Sequence, residues 1–307
     1  MQPFRMLHPP MHMHRHFLSM AALLVISSAA SAQTTDPRKA VDELLAVDRE
    51  HAKRARNLNV VDALGGMFAD DVFLSAYGAF HPGRDSALSR LRAAPENLTA
   101  RIEWSPIRGG ISGDGQHGFT YGFMTLMRAD STKLPLKYVA YWIRKPEGWK
   151  VVVYRRAPRA EGDVPTSMRD PSIPEKVVPV TRDAVVVARH AKSLGDAERD
   201  FSALAGKIGL GPAFTQNAAP DAMNVGGGQS ADFLYGPEAI GAGVGAGENG
   251  PSTLTWGPDT VLVASSGDLG VTIGHINAPA SGNQPARRFP FFTVWKKVGG
   301  VWKFVAE

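Results

Sequence analysis

Apolar positions recur at helical spacing twice along the chain, and each time a stretch patterned for strands follows. Val41, Leu44, Leu45, Ala52 and Ala55 fall on one helical stripe. Asp36-Pro37 just before them supplies an N-cap and a proline at the first helical position. A shorter helix is expected over Val60 to Phe68, and Ala197, Phe201, Leu204, Ala205 and Ile208 form the equivalent stripe further on. Strands are expected over Thr99–Ile111 and His117–Met127, separated by Ser-Gly-Asp-Gly, and over Tyr138–Arg144 and Trp149–Arg155, separated by Lys-Pro-Glu-Gly. Both separators are hairpin turns. Gly267-Asp268 and Gly299-Gly300 mark the same turns in the second half. Helices first and a meander afterwards predict an α+β class, with helices packed on one face of a sheet.

The six tryptophans show that the two halves are copies. Trp104 matches Trp256, Trp142 matches Trp295 and Trp149 matches Trp302, at offsets of 152, 153 and 153. Between them, Trp104-Ser105-Pro106 parallels Trp256-Gly257-Pro258, and Ser112-Gly113-Asp114 parallels Ser266-Gly267-Asp268. Gly118-Phe119-Thr120-Tyr121-Gly122 likewise parallels Gly270-Val271-Thr272-Ile273-Gly274. A period near 150 is too long for a solenoid repeat, so a whole domain has been duplicated. Five prolines, at 158, 165, 171, 174 and 179, make residues 157–180 a stiff, extended linker.

The order helix, short helix, strand, then long antiparallel strands resembles the nuclear transport factor 2-like superfamily. Trp-x-Pro, Ser-Gly-Asp-x-Gly-x-Thr-x-Gly and the terminal Trp-(Lys/Arg)-Lys…Gly-x-Trp-Lys-Val resemble SnoaL-like domains within it. The resemblance implies two tandem cone-shaped domains, each with N-terminal helices packed on a curved antiparallel sheet that encloses a pocket. It assigns residues 33–156 to the first and 181–307 to the second. It also implies that the two domains pair within one chain, with homo-oligomers open as a further level of assembly. Fold alone does not carry function.

Charge changes the picture in one respect. The net +5 divides into +2 from Arg5 and Arg15 in residues 1–32, a basic stretch with 20 basic against 14 acidic residues over 33–160, and an acidic one with 12 against 15 over 161–307. The basic residues are scattered among acids rather than clustered with aromatics, which argues against nucleic acid as a partner. Cysteine is absent, which excludes disulfides and thiolate metal sites. Residues 1–32 have the form of a signal peptide: Arg5 and Arg15, an apolar run from Phe17 to Ala30, and Ala30-Ser31-Ala32 for cleavage after Ala32. The expected location is periplasmic or secreted. No later stretch reaches the ~20 apolar residues of a membrane span. The four histidines 8, 12, 14 and 16 belong to the leader, and the remaining five show no ligand spacing, so neither a metal site nor a cofactor is expected.

Candidate chemistry lies mostly in the first copy. Asp48, with Glu198 as its counterpart, interrupts an apolar stripe and is a candidate general base; its alternative is a stripe-edge carboxylate paired with Arg49. His117, Phe119, Tyr121 and Phe123 share one strand face, either lining the pocket, with Tyr121 as a hydrogen-bond donor, or packing in the sheet. Tyr77, His81 and Asp85 surround the expected pocket mouth, where His81 and Asp85 form either an acid–base pair or a solvated loop with a helix cap. The Gly241–Gly250 run lacks the strand–loop–helix setting of a phosphate loop and is expected to be a flexible loop. Asn97-Leu98-Thr99 is a formal glycosylation sequon. These features leave three functions open: binding of a small apolar or aromatic molecule in a cone, a cofactor-free lyase or isomerase using Asp48 or His81 with Tyr121 or Tyr77, and a scaffold whose cones are filled.

Overall fold

The structure is a computed structural model that describes Met1, residues 36–248 and residues 250–307. The leader therefore lies outside the described residues, apart from Met1. The described residues between 36 and 307 form one compact unit, and no described helix is long and apolar enough to cross a membrane.

The first copy begins with α1 (Pro37–Ala55), capped by the Asp36 carboxylate, which accepts from the Arg38 amide at 3.0 Å. α2 (Val60–Gly65) is capped by Asn59 and ends three residues before the expected boundary. β1 (Phe68–Ala76) and β2 (Ala79–Pro82) then form an edge hairpin, and α3 (Arg84–Arg92) follows. The meander is β3 (Arg101–Ile111), β4 (His117–Met127), β5 (Lys133–Lys145) and β6 (Gly148–Pro158). The sheet order is β2-β1-β6-β5-β4-β3, antiparallel except that β1 runs parallel to β6. The sheet is thus mixed, because β1 enters beside the last strand instead of extending the meander.

The second copy repeats the plan. It has α4 (Ala184–Ile208), α5 (Leu210–Asn217), β7 (Ala218–Asn224), β8 (Leu234–Tyr235), α6 (Pro237–Val244), β9 (Thr255–Val263), β10 (Leu269–Ala278), β11 (Arg287–Val298) and β12 (Val301–Ala306). The sheet order is β8-β7-β12-β11-β10-β9, with β7 parallel to β12. The chain is α+β, two cones in tandem. Gly241 belongs to α6 rather than to a loop: a Cβ there would stand 2.0 Å from Thr215 Oγ1 of α5, so the glycine lets the two helices touch.

The repeated glycines have a packing reason too. A Cβ on Gly118 would meet the Leu44 side chain at 2.5 Å, and one on Gly270 would meet Leu194 at the same distance. Gly122 and Gly274 sit 2.0 and 2.1 Å, by the same measure, from the carbonyls of Ser105 and Gly257. Each β4-type strand therefore admits its helix at one glycine and a bulged neighbour strand at the other.

The two copies pair through the sheet faces turned away from α1 and α4. Phe119, Tyr121, Val139 and Tyr141 join one buried cluster with Val271, Ile273, Phe292 and Val294. At one end the duplicated turns clasp each other. The Asp268 carboxylate accepts from the Gly113 amide at 2.9 Å, and Asp114 accepts from the Ser265 hydroxyl and the Ser266 amide at 2.8 and 3.1 Å. Arg108, almost fully buried, donates to the Asp221 carboxylate at 2.6 Å, which Lys296 also reaches at 3.1 Å. Lys137 is fully buried and donates to the carbonyls of Val225 and Asp232 at 2.7 and 2.5 Å. The proline-bearing segment lies along β3, where the amides of Ile111 and Ser172 donate to the carbonyls of Ser172 and Gly109.

Candidate functional site

Each cone contains a carboxyl group out of reach of water that is held by tryptophans marking the repeat. In the first copy Asp48 accepts from Trp104 Nε1 at 2.7 Å and from the Tyr138 hydroxyl at 2.8 Å. Trp142 completes the set by donating to Thr120 at 2.9 Å. In the second copy Glu198 accepts from Trp256 at 2.6 Å, from Thr272 at 2.5 Å and from Trp295 at 2.9 Å. Burial pushes both carboxyls upward, and the hydrogen bonds from these donors offset part of that. A buried carboxyl whose oxygens are already engaged is an anchor for its donors, with little left over for a ligand.

The cones differ in what stands beyond this anchor. In the first, Tyr154 fills the space: its ring lies 5.6 Å from Phe68 and 6.3 Å, stacked, from Tyr138. All three side chains are buried. Counting from Trp149 and Trp302, Tyr154 corresponds to Glu307 and Tyr138 to Phe291. Phe68 pairs with Val151 as Ala218 pairs with Phe304, so a phenyl ring of the first copy is a methyl group in the second. Losing one aromatic ring and replacing another by a carboxyl leaves space.

That space is a cavity of about 200 Å³ lined by Leu210, Phe214, Asn224, Val244, Leu254, Trp256, Ile276, Phe291 and Glu307. Apart from the carboxyl of Glu307, the amide of Asn224 and the indole N–H of Trp256, its lining side chains are hydrocarbon. The second copy's β-sheet supplies one wall; α5, α6 and the segment before β9 close the other. Glu307 as a residue is half-buried, but its side-chain oxygen Oε2 is shut off from solvent and has no hydrogen-bond partner. Burial pushes this carboxyl up to about 8, and the Glu198 carboxylate pushes the same way; Arg155 and Asn224 pull it back in part. Near neutral pH the group is mostly protonated, able to give a proton or to donate a hydrogen bond into the cavity.

The seven residues singled out in the first copy do not converge. Asp48 is inside the first cone, held by Trp104 and Tyr138 rather than paired with Arg49 at the stripe's edge. Phe119 and Tyr121 do share a face with His117 and Phe123, but that face meets the second copy: Phe233 lies 5.1 Å from the rings of both Tyr121 and Phe123. His117 bonds the Tyr141 hydroxyl at 2.9 Å, and burial pushes its imidazole down to about 4. Tyr77 is exposed in the β1–β2 turn under the Arg90 guanidinium, 3.9 Å from the ring centre. His81 lies in the edge strand β2, Asp85 in the first turn of α3, and no hydrogen bond joins them among the described residues. Asn97 is fully buried and donates to the Leu91 carbonyl, so the sequon is not presented to solvent.

The site residues that sequence reasoning missed are Glu307, Asn224, Phe214, Phe291 and Trp256. The signal was present in the repeat register, where Tyr154 falls opposite Glu307. Counting polar residues copy against copy directed attention to the first domain instead.

Solved structures similar to the chain include a nuclear transport factor 2-like protein with a cystatin-like fold from Novosphingobium aromaticivorans, 15% identical over 38% of this chain and 80% of that one, with a TM-score of 0.32. A nuclear transport factor 2-like superfamily protein from Salmonella enterica is 11% identical over 41% of this chain and 96% of its own, with a TM-score of 0.33. A ketosteroid isomerase-like protein from Erwinia carotovora is 15% identical over 40% and 96%, with a TM-score of 0.31. No family model and no curated protein matches the chain. Each half packs its helices on a six-stranded sheet of the same strand order, the α+β plan in tandem that the motif resemblance implied.

Proposed function

We propose that the protein binds a small apolar or aromatic molecule in its second cone, with the first cone serving as a filled, rigid partner. The observation that carries this reading is the apolar cavity of about 200 Å³ whose lining includes a single acid, Glu307. Binding sites for small molecules are concave, mostly apolar and furnished with a few placed polar groups. This one is below the roughly 300 Å³ at which drug-sized pockets begin, so it suits a ligand of about one ring. We further propose that residues 1–32 are a cleaved signal peptide and that the domains span 33–156 and 181–307 about the linker 157–180, in a periplasmic or secreted protein.

A second reading, a cofactor-free lyase or isomerase, is favoured by one specific feature. The Glu307 carboxyl, held near pH 8, is poised for proton transfer at ordinary pH. Native mass spectrometry of protein purified from its own compartment tests the main reading. An additional small mass, absent from a Leu254→Trp variant whose cavity is filled, is the expected result. A bare polypeptide mass in both, together with no binding by the wild type to a library of single-ring compounds, would overturn it.

A further inference from the structure

We propose that the second cone selects a small organic cation, an amine or a quaternary ammonium group carried on a short apolar body. The inference rests on the reading of this cone as the binding site and specifies its ligand. Its wall has three aromatic rings, those of Phe214, Trp256 and Phe291. The faces of such rings carry negative electrostatic potential, and ammonium groups bind in cages of them. None of the nine lining residues is basic, and one is acidic.

Two carboxyls stand at this site in different conditions. Glu198 receives three donors, two at one oxygen and one at the other, so its hydrogen bonds favour the carboxylate form. Glu307 has an oxygen with no partner at all. A buried polar group left unsatisfied is costly, and a buried charge is tolerated only when paired. The charged groups that face Glu307 are Glu198 from α4 and Arg155 from β6, with the amide of Asn224 from β7. Arg155 makes no ion pair with it among the described residues, and Glu307 is the one acidic residue of the cavity lining. A cation placed in the cavity pairs with the Glu307 carboxylate and faces the rings. A neutral ligand of the same shape obtains only the apolar contacts and one hydrogen bond.

The two ligand classes differ in their dependence on pH. A cation binds the ionised form of Glu307 and releases its proton, so affinity rises by about tenfold per pH unit below the carboxyl's pKa of about 8 and levels off above it. A neutral hydrogen-bond acceptor prefers the protonated form and binds more weakly above that pH.

Isothermal titration calorimetry with two matched pairs provides the test: choline against its uncharged tert-butyl isostere, and benzylamine against benzyl alcohol. At pH 8 the cation of at least one pair is expected to bind tenfold or more tightly than its isostere, with the margin shrinking at pH 6. In Glu307→Gln the margin should vanish while the isostere still binds. A second readout needs no variant: in buffers of different ionisation enthalpy at pH 7, cation binding should release nearly one proton per site and isostere binding none. If the isosteres bind as well as the cations, and Leu254→Trp blocks them, the cation inference falls and the cavity reading stands. If neither member of either pair binds, the inference falls, and the library screen above decides the cavity reading separately.

Discussion

The carboxyl of Glu307 should make the fold less stable as pH rises through neutrality, opposite to the usual behaviour of a paired carboxylate. Its ordinary value is 4.5 and its value in the fold is about 8. Below pH 4.5 both states carry the proton and nothing is gained or lost. Between 4.5 and 8 the unfolded chain gives up its proton while the folded chain keeps it, so each unit of pH favours the unfolded state by about 1.4 kcal/mol. The full penalty above pH 8 is about 5 kcal/mol, a large part of the 5–15 kcal/mol typical of a domain. Glu307→Gln removes the titration and keeps the shape. Urea unfolding of both proteins at half-unit steps from pH 5 to 8.5, followed by tryptophan fluorescence and far-UV circular dichroism, measures the effect. Other titrating groups contribute to both curves and cancel in the difference. The variant should gain roughly 4 kcal/mol on the wild type across that range. Two curves that run parallel to within 1 kcal/mol would refute the assignment of Glu307 as a desolvated acid.

Three further outcomes follow from the packing. Asp48→Ala leaves the Trp104 and Tyr138 donors without an acceptor and should cost about 3 kcal/mol in urea unfolding, whereas Asp48→Asn keeps one acceptor oxygen and should cost roughly half as much. Asp221→Ala strips the nearly buried Arg108 guanidinium of its carboxylate at the junction of the copies and should cost about 3–5 kcal/mol, readable as a fall in melting temperature that Arg108→Met partly reverses when the two are combined. Gly122→Ala and Gly274→Ala each push a methyl group against a neighbouring strand's carbonyl and should destabilise by about 1–3 kcal/mol; Gly148→Ala, at a turn with open space and positive φ, should cost only about 1 kcal/mol by the same measurement.

The duplication and the α+β class were legible because the tryptophans do the same task twice. Trp104 and Trp256 each donate to the buried carboxyl of their own copy, and Trp142 and Trp295 each donate to the threonine of the next strand, so neither sequence could drift at these two pairs without orphaning a buried polar group. The glycines of β4 and β10 were equally constrained by their neighbours' backbones. The aromatic face of β4 was misleading for a physical reason. Alternation fixes which side chains share a face, but His117, Phe119, Tyr121 and Phe123 would alternate in the same way whether that face met a ligand or another sheet. The parallel entry of β1 and β7 was also hidden, because Ala218-Ala219-Pro220-Asp221-Ala222-Met223-Asn224 carries almost no strand signal of its own. That strand supplies both the missing ring at Ala218 and the amide at Asn224, so the second cavity could not be located without it.

The clasp between the Ser-Gly-Asp turns has a consequence for how the assembly behaves on dilution. Two such domains on separate chains would associate as a matter of mass action, and would part at low concentration. Joined by a linker that itself lies along β3, each sees the other at an effective concentration set by geometry alone, on the order of millimolar or above. The joined copies are also free of the demand that both halves of the interface be identical. Arg108 of the first copy can pair with Asp221 of the second, while the register equivalent of Arg108 in the second copy is the uncharged Thr260. A chain organised in this way is a permanent heterodimer written as one polypeptide, in which one member can keep its interior full for rigidity while the other leaves room for a guest.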